Sequence, residues 1–234
     1  MTRWPPERTW PPWRIRHDKA MVVTGVDACR GGWVSVALRD GRVESIRIGT
    51  SLDDVIREPG VVGIDMPLGF NVAGWRECDR LARSLLGPRR SAVFSIPPRV
   101  VWECDSYPEA NRRCREITGQ GLSAQAWGLR AKLLEANRFR TKRPDLYEIH
   151  PELAFLAMAG GPLADSKHSP AGLLSRRQVL ARAGIELPGD TRGSDVLDAA
   201  AVAWSASRIA CGEAHKLPEP PDVDTNGREI AIWY

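Results

Sequence analysis

Two short stretches, GVDACRGGW at residues 25–33 and GIDMPLG at residues 63–69, decide the fold of this 234-residue chain. Each stretch lies at the end of a compact apolar run and places a glycine two residues before an aspartate, Asp27 or Asp65. Because side chains alternate along a strand, each glycine shares a face with its aspartate and leaves open space beside it. If the two runs are adjacent parallel strands, the two carboxylates lie about 5 Å apart at the carboxyl ends of those strands.

The first stretch belongs to a predicted antiparallel meander of three strands. The apolar run Met21–Asp27 turns at Gly31-Gly32 into a second strand, Trp33–Leu38. A further turn at Asp40-Gly41 leads into a third strand, Val43–Ile48, because glycine permits the backbone of a tight turn.

Beyond the meander, apolar periodicity, caps and glycine or proline stops predict the remaining elements. The first are a short helix through Ile56 capped by Ser51 or Asp53 and a buried strand, Val61–Asp65. Next come the helices Arg76–Leu86, Tyr107–Ile117 and Ser123–Arg140, with an irregular basic stretch at Arg89–Arg99. The last are a strand Leu146–His150, a helix opened by Pro151, a helix Ala171–Ala183, a long helix capped by Ser194 and reaching about Cys211, and a strand-like piece Glu229–Tyr234.

The order β-β-β-α-β, helical insertion, β-α-α is typical of a ribonuclease H-like fold. It predicts an α/β domain with a mixed five-stranded sheet in the order 3-2-1-4-5, flanked by helices. The helical insertion, residues 66–145, falls between the fourth and fifth strands. We expect residues 1–20, with their Trp-Pro-Pro repeats, to be a disordered or dispensable tail, and residues 21–234 to form a single domain.

The composition excludes several classes of protein. No run of about 18 apolar residues is present, so we expect no membrane span and no membrane partner. The first twenty residues contain no apolar core of a secretory signal. The five cysteines form no C-x-x-C pair, which argues against a structural zinc site or a disulfide framework and favours a reducing cytoplasm.

Acidic residues at three further positions are candidates to join Asp27 and Asp65. Asp195 and Asp198 lie three residues apart, so they share one face of the last long helix, and the alanines that follow let that helix approach the sheet closely. Glu148 ends the fifth strand. Simpler roles stay open: Asp195 suits any helix start because of the helix dipole, and Glu148 suits any polar strand end.

Two close carboxylates repel unless a cation lies between them, so the cluster predicts metal binding. The candidate ligands are all oxygen, with at most His150 nearby, and this donor set favours Mg²⁺ or Mn²⁺ over Zn²⁺. Each aspartate taken alone is equally consistent with a cap on the turn that follows it.

Seven motifs in order identify a family. They are GVDACRGGW, IDMPLG, RECDRLARSLLGPRRSAVF, GQGLSAQAW with Lys132, YEIHPELAF, Ser166-Lys167 and DVLDAAAVAW. Together, over about residues 21–234, they resemble the domain-of-unknown-function family numbered 429, described as predicted ribonuclease H-like nucleases. By likeness to RuvC-type resolvases, the resemblance implies that Asp27, Asp65, Asp195 and Asp198 are metal ligands. Ala28 stands where the family usually has glycine.

The helical insertion carries a net charge of +7, whereas the flanking segments 21–65 and 146–234 are acidic. Such an asymmetry suits a phosphate-bearing substrate brought to a metal site, although Arg-rich helix faces in water give the same count. The expected substrate-binding residues are Arg83, Arg89, Arg90, Arg99, Gln125, Trp127, Lys132 and Lys167. Core packing is the alternative role for Trp127, and a solvated pair is the alternative for Arg89-Arg90.

These observations predict a metal-dependent nuclease that hydrolyses phosphodiester bonds by a two-metal mechanism, with nucleic acid, DNA or RNA, as partner. A non-catalytic nucleic-acid-binding module and an enzyme acting on a small phosphorylated metabolite are the alternatives. An actin-like ATPase is disfavoured because that architecture needs two copies of the fold, and the chain has length for one.

Overall fold

A computed structural model describes residues 21–189, 191 and 193–234. The predicted tail, residues 1–20, lies outside the described residues. The main sheet consists of β1 (Val22–Cys29), β2 (Gly32–Arg39), β3 (Arg42–Gly49), β4 (Val62–Ile64) and β5 (Leu146–Glu148). Its strand order is β3-β2-β1-β4-β5, with β1, β4 and β5 parallel and the meander antiparallel. The predicted sheet order is therefore confirmed.

The helices flank this sheet on both faces. They are α1 (Leu52–Val55), α2 (Glu77–Leu86), α3 (Arg99–Trp102), α4 (Tyr107–Thr118), α5 (Ala124–Gly128), α6 (Arg130–Phe139), α7 (Pro151–Ala159), α8 (Pro170–Arg182) and α9 (Ser194–Ala210), with a 3-10 turn at Gly87–Ala92.

Local signals located most helix ends correctly. The Ser51 hydroxyl caps α1 in a reciprocal capping box with Asp54, and the Ser123 hydroxyl accepts from the Ala126 amide at the start of α5. Gly119 ends α4 in the left-handed region, where glycine is favoured because it has no Cβ.

Two predictions for helices were wrong. The helix predicted over Ser123–Arg140 is broken at Leu129, directly after Gly128, a residue with low helix propensity. Ser194 is the first residue of α9 and not its cap: Gly193 takes the cap position with a φ of 99°. In both cases one glycine decides the backbone path.

A second, two-stranded sheet was only half predicted. It pairs β6 (Lys216–Val223) with β7 (Glu229–Trp233), and a parallel bridge between Ile149 and Trp233 links β7 to the residue just after β5. The strand β6 was missed because its sequence, KLPEPPDV, contains three prolines, which donate no ladder hydrogen bond.

The glycines of the two Gly-x-Asp stretches bring α9 directly against the sheet. Gly25 and Gly63 are register partners across β1 and β4. A Cβ at Gly25 would stand 2.1 Å from the Ala199 carbonyl oxygen, and one at Gly63 would stand 2.8 Å from a methyl of Val202. Small residues on both sides therefore let α9 bury its acidic first turns beside the ends of β1 and β4.

Candidate active site

Asp27 and Asp65 meet where β1 and β4 end. The Asp65 amide donates to the Val26 carbonyl (2.8 Å), which continues the parallel pairing of the two strands by one residue. Asp27 Oδ1 accepts from the Ala28 amide at 2.6 Å, and the charge of Asp65 acts on the Asp27 carboxyl group. Asp27 is 6% exposed. The sequence-predicted pair is thus brought together at the carboxyl edge of the sheet.

Asp198 approaches this pair from α9. It is 1% exposed, and Lys167 Nζ donates to its Oδ2 at 2.8 Å. Its other oxygen, Oδ1, is buried and accepts no hydrogen bond from the described residues. An unsatisfied buried carboxylate oxygen is costly, and it needs a structural or functional explanation.

Burial and neighbouring charges raise the pKa values of all three carboxyl groups. Burial, followed by the charges of Asp65 and Asp198, raises the pKa of Asp27 well above its usual value. Burial raises the pKa of Asp65 to about 6, with the charge of Asp198 adding to the increase. Burial also raises the pKa of Asp198, against the opposing effect of Lys167. Such shifts are typical of catalytic clusters, although structural clusters produce them as well.

Lys167 forms an ion pair with one of these acids, Asp198. Burial lowers the pKa of its ammonium group, but the carboxylates of Asp198, Asp65 and Asp27 outweigh that effect and raise the pKa above its usual value. Lys167 therefore stays charged over the ordinary pH range. The structure places its ammonium group beside Asp198, and its predicted contact with substrate stays a prediction.

A well-ordered loop carries Lys167 to this position. Arg89 donates to the carbonyls of Leu163 (3.0 Å) and Asp165 (2.6 Å), and the Ser169 hydroxyl donates to the Ser166 carbonyl at 2.8 Å. At Gly172, a Cβ would lie 1.8 Å from the Ser166 carbonyl oxygen. The loop is consequently held from both sides.

Two residues that were not predicted to belong to the site, Arg176 and Glu152, act on Asp198 through their charges. Arg176 is fully buried, pairs with Glu152 Oε1 at 2.5 Å, and contributes a charge that lowers the pKa of Asp198. No local pattern identifies Arg176 as buried, because two consecutive arginines on a helix can both reach solvent.

Asp195 lies at the margin of the cluster. It is half-buried, its Oδ1 accepts from the Ser194 hydroxyl at 3.0 Å, and its charge makes the smallest of the contributions that raise the pKa of Asp27. Its predicted role as a metal ligand stays a prediction.

Glu148 does not join the site, which corrects its sequence-based assignment as a catalytic carboxylate. In the parallel register Glu148 is the partner of Ile64, not of Asp65, so its side chain points to the opposite face of the sheet. There it accepts from Arg76 Nη1 (2.8 Å), Arg76 Nη2 (2.7 Å) and the Leu68 amide (2.7 Å).

His150 was expected on the face of Glu148, but the strand ends before it. It caps α7, where its Nδ1 accepts from the Glu152 amide at 3.2 Å and its Nε2 lies 3.2 Å from the Ala92 carbonyl. Its charge lowers the pKa of Asp65, so the ring is near the acids. Both ring nitrogens already have protein partners.

Three of the predicted substrate-binding cations are engaged inside the protein. Arg83 donates to the carbonyls of Arg90 and Val93, Arg89 donates to the loop described above, and Lys132 donates to the carbonyls of Cys29 and Gly32. Arg89 therefore does not reach outward as predicted. These side chains hold loops around the site through hydrogen bonds to main-chain carbonyls.

Of the other predicted substrate contacts, three are exposed and one packs against the core. Arg99 is exposed and pairs with Glu103 at 2.7 Å, while Arg90 and Gln125 are exposed. Trp127 is half-buried and stacks on Trp102 with an 11° interplanar angle, so it packs against the core as its alternative role predicted.

The donor chemistry of the acids fits a hard divalent cation. Asp27, Asp65 and Asp198 supply only oxygen, and the orphaned Oδ1 of Asp198 lacks the partner that a cation would provide. Within the described ranges, however, no group of three or more His, Cys, Asp or Glu side chains forms a ready metal site. The adjacent pair Asp27 and Asp65 is thus the part of the cluster free to hold an ion, since Lys167 engages Asp198.

Comparison of the sequence with models of known protein families identifies one matching family. A family model described as "Protein of unknown function (DUF429)" matches residues 25–223, which include every acid of the cluster. No curated protein and no solved structure matches the chain significantly. None of the helices in the described part of the chain has the length and apolar character to cross a bilayer.

Proposed function

The chain belongs to this family of proteins of unknown function. We propose that it is a metal-dependent hydrolase of phosphodiester bonds with a ribonuclease H-like fold. The sheet order and the helix packed across β1 and β4 support the fold assignment. One observation carries the functional proposal: Asp27 and Asp198, both buried, and the half-buried Asp65 converge at the carboxyl edge of the sheet, and one buried oxygen of Asp198 is unsatisfied.

Asp27 and Asp65 would hold the divalent ion, Mg²⁺ or Mn²⁺. Magnesium is commonly bound by one or two carboxylates, with water and substrate phosphate completing its coordination, so a pair is a sufficient protein contribution. When bound, the ion would supply Lewis-acid stabilisation of the charge that develops on the phosphoryl oxygens. In its absence, burial and neighbouring carboxylates raise the pKa values of both groups.

The residues around the pair would bind and orient the phosphate. Lys167, about one-third exposed, can donate to a phosphoryl oxygen while it keeps Asp198 in place. The Asp198 carboxylate, held by Lys167 on one oxygen, presents its negative charge toward Asp27 and Asp65 and strengthens cation binding there.

Nucleic acid is the first candidate substrate, and the exposed Arg90 and Gln125 are available to contact it. A small phosphorylated metabolite is the second candidate. It is favoured by the internal engagement of Arg83, Arg89 and Lys132, which removes three cations from the surface that would follow a polynucleotide backbone.

A cleavage assay tests the proposal. Wild type should hydrolyse at least one substrate from a panel of single-stranded DNA, duplex DNA, RNA and bis(4-nitrophenyl) phosphate when Mn²⁺ or Mg²⁺ is added, and should lose that activity with EDTA. Asp27→Asn should reduce turnover by at least about 100-fold, because it removes a ligand of the ion. The matched control is Asp53→Asn, which changes an exposed acid on α1. Equal turnover by wild type and Asp27→Asn would contradict the proposal.

A further inference from the structure

The ammonium group of Lys167 lies inside the acidic cluster and not beside it. Its Nζ is 2.8 Å from Asp198 Oδ2, and its charge also interacts directly with the carboxylates of Asp65 and Asp27. Among the described residues, Lys167 is the side chain whose positive charge acts on all three acids and that also lies within hydrogen-bonding distance of one of them, Asp198. A two-metal site would use a second divalent ion to supply positive charge to these acids.

The fold holds Lys167 there by several independent contacts. Arg89 ties down the Leu163 and Asp165 carbonyls, Arg176 reaches the Asp165 carbonyl at 3.4 Å, and Ser169 closes the turn onto Ser166. Gly172 packs so tightly on the Ser166 carbonyl that no Cβ fits. A lysine carried by an anchored loop does not readily withdraw to admit another cation.

The charges of the cluster point the same way. One divalent ion together with the Lys167 ammonium balances the three carboxylates, whereas two divalent ions beside that ammonium would leave two positive charges in excess. Only the pair Asp27 and Asp65 lacks a cationic partner within hydrogen-bonding distance, and no larger ligand group exists among the residues that the structure describes.

We propose that Lys167 replaces the second cation of the site, so that the site takes a single divalent ion on Asp27 and Asp65. This inference rests on the proposed function, because it presupposes metal binding at the cluster. It departs from the two-metal mechanism expected from the sequence. Removal of Lys167 frees Oδ2 of Asp198, and this carboxylate, whose Oδ1 is already unsatisfied, then becomes available as an additional ligand.

Calorimetric titration with Mn²⁺ tests the inference without any substrate. Wild type should bind one ion per chain, and Lys167→Met, which keeps the length of the side chain but removes its charge, should bind two. Lys142→Met changes an exposed lysine within the helical insertion. This variant should bind one ion, like wild type. Lys167→Arg keeps the charge and should also bind one ion, and circular dichroism establishes that each variant is folded.

Electron paramagnetic resonance on the same samples distinguishes one ion from two. An isolated Mn²⁺ gives a six-line spectrum, whereas two neighbouring ions are spin-coupled and the six lines are lost. Two coupled ions in wild type would overturn the inference and leave the proposed function intact. One ion in Lys167→Met, with unchanged affinity, would overturn it as well. No binding by wild type and by every variant would reject the proposed function itself. If Lys167→Met is unfolded, two ions on Lys167→Gln support the inference and one ion on it contradicts the inference.

Discussion

The sheet carries two buried acidic clusters on its opposite faces, and they differ in how completely they are neutralised. On one face, Arg76 is fully buried between Asp79 and Glu148, and it donates to both carboxylates at 2.5–2.8 Å. The amides of Ile96 and Leu68 donate to the same two side chains at 2.8 and 2.7 Å. This cluster is satisfied without any ligand.

On the other face, Asp27, Asp65 and Asp198 have one lysine between them, and Asp198 Oδ1 has no partner among the described residues. The satisfied cluster fixes the position of the loop after β4. In the unsatisfied cluster the carboxylates repel one another, and an added cation would reduce that repulsion. The difference teaches that burial alone does not identify a functional acid: Glu148 is as buried as Asp27 yet has a structural role.

The largest expected effect comes from breaking the satisfied cluster. Arg76→Met should lower the free energy of unfolding by about 3–5 kcal/mol, because it leaves two carboxylates buried without a cation. Urea denaturation at pH 7 measures this, with Arg80→Met as control, since Arg80 forms an exposed ion pair with Glu77. A loss below about 1 kcal/mol would show that the cluster is not a closed network.

In the unsatisfied cluster, neutralising an acid should stabilise the protein. The pKa of Asp65 is raised from 3.8 to about 6 in the folded state, so the folded protein holds this proton more tightly than the unfolded chain does. Stability is therefore lost as the pH rises from about 4 through 6, and Asp65→Asn should recover up to about 3 kcal/mol at pH 8. The gain should vanish below about pH 4.

Denaturation of wild type and Asp65→Asn at pH 3.5 and pH 8, in EDTA, tests this prediction. Asp53→Asn, in an exposed position, should show no such pH-dependent gain. If Asp65→Asn is destabilised equally at both pH values, Asp65 makes a structural contact comparable to that of Glu148, and the contrast between the two clusters fails.

A smaller effect concerns the loop that brings Lys167 to the unsatisfied cluster. Arg89→Ala should cost about 1–2 kcal/mol, because its hydrogen bonds to the Leu163 and Asp165 carbonyls are lost. Arg90→Ala should change stability by less than about 0.5 kcal/mol, because Arg90 is exposed. Thermal melts compare the two variants, and equal melting temperatures would show that the loop does not depend on Arg89.

The smallest effect is expected for a charge pair outside both clusters. Arg99 and Glu103 pair at 2.7 Å, but their side chains are 60% and 53% exposed. Arg99→Gln should therefore change the free energy of unfolding by less than about 0.5 kcal/mol. A change above 1 kcal/mol in the same urea assay would mean that exposure does not separate structural from surface charges in this protein.

Short-range patterns in the sequence were sufficient for the order of the five strands in the main sheet and for half of the site. The Gly-x-Asp stretches predicted that Asp27 and Asp65 share a face, because alternation along a strand is a local property. The alanines after Asp198 predicted its burial, because only small side chains let α9 pack on Gly25.

Tertiary structure alone decided which charged residues belong to the site. Glu148 faces away from Asp65 because β5 pairs with β4 in a register that no local pattern specifies. Arg89 turns inward to Leu163, 74 residues away in sequence, and Lys167 reaches Asp198 across 31 residues. Long side chains have several rotamers of similar energy, so their direction is set by partners that only the folded chain brings within hydrogen-bonding distance.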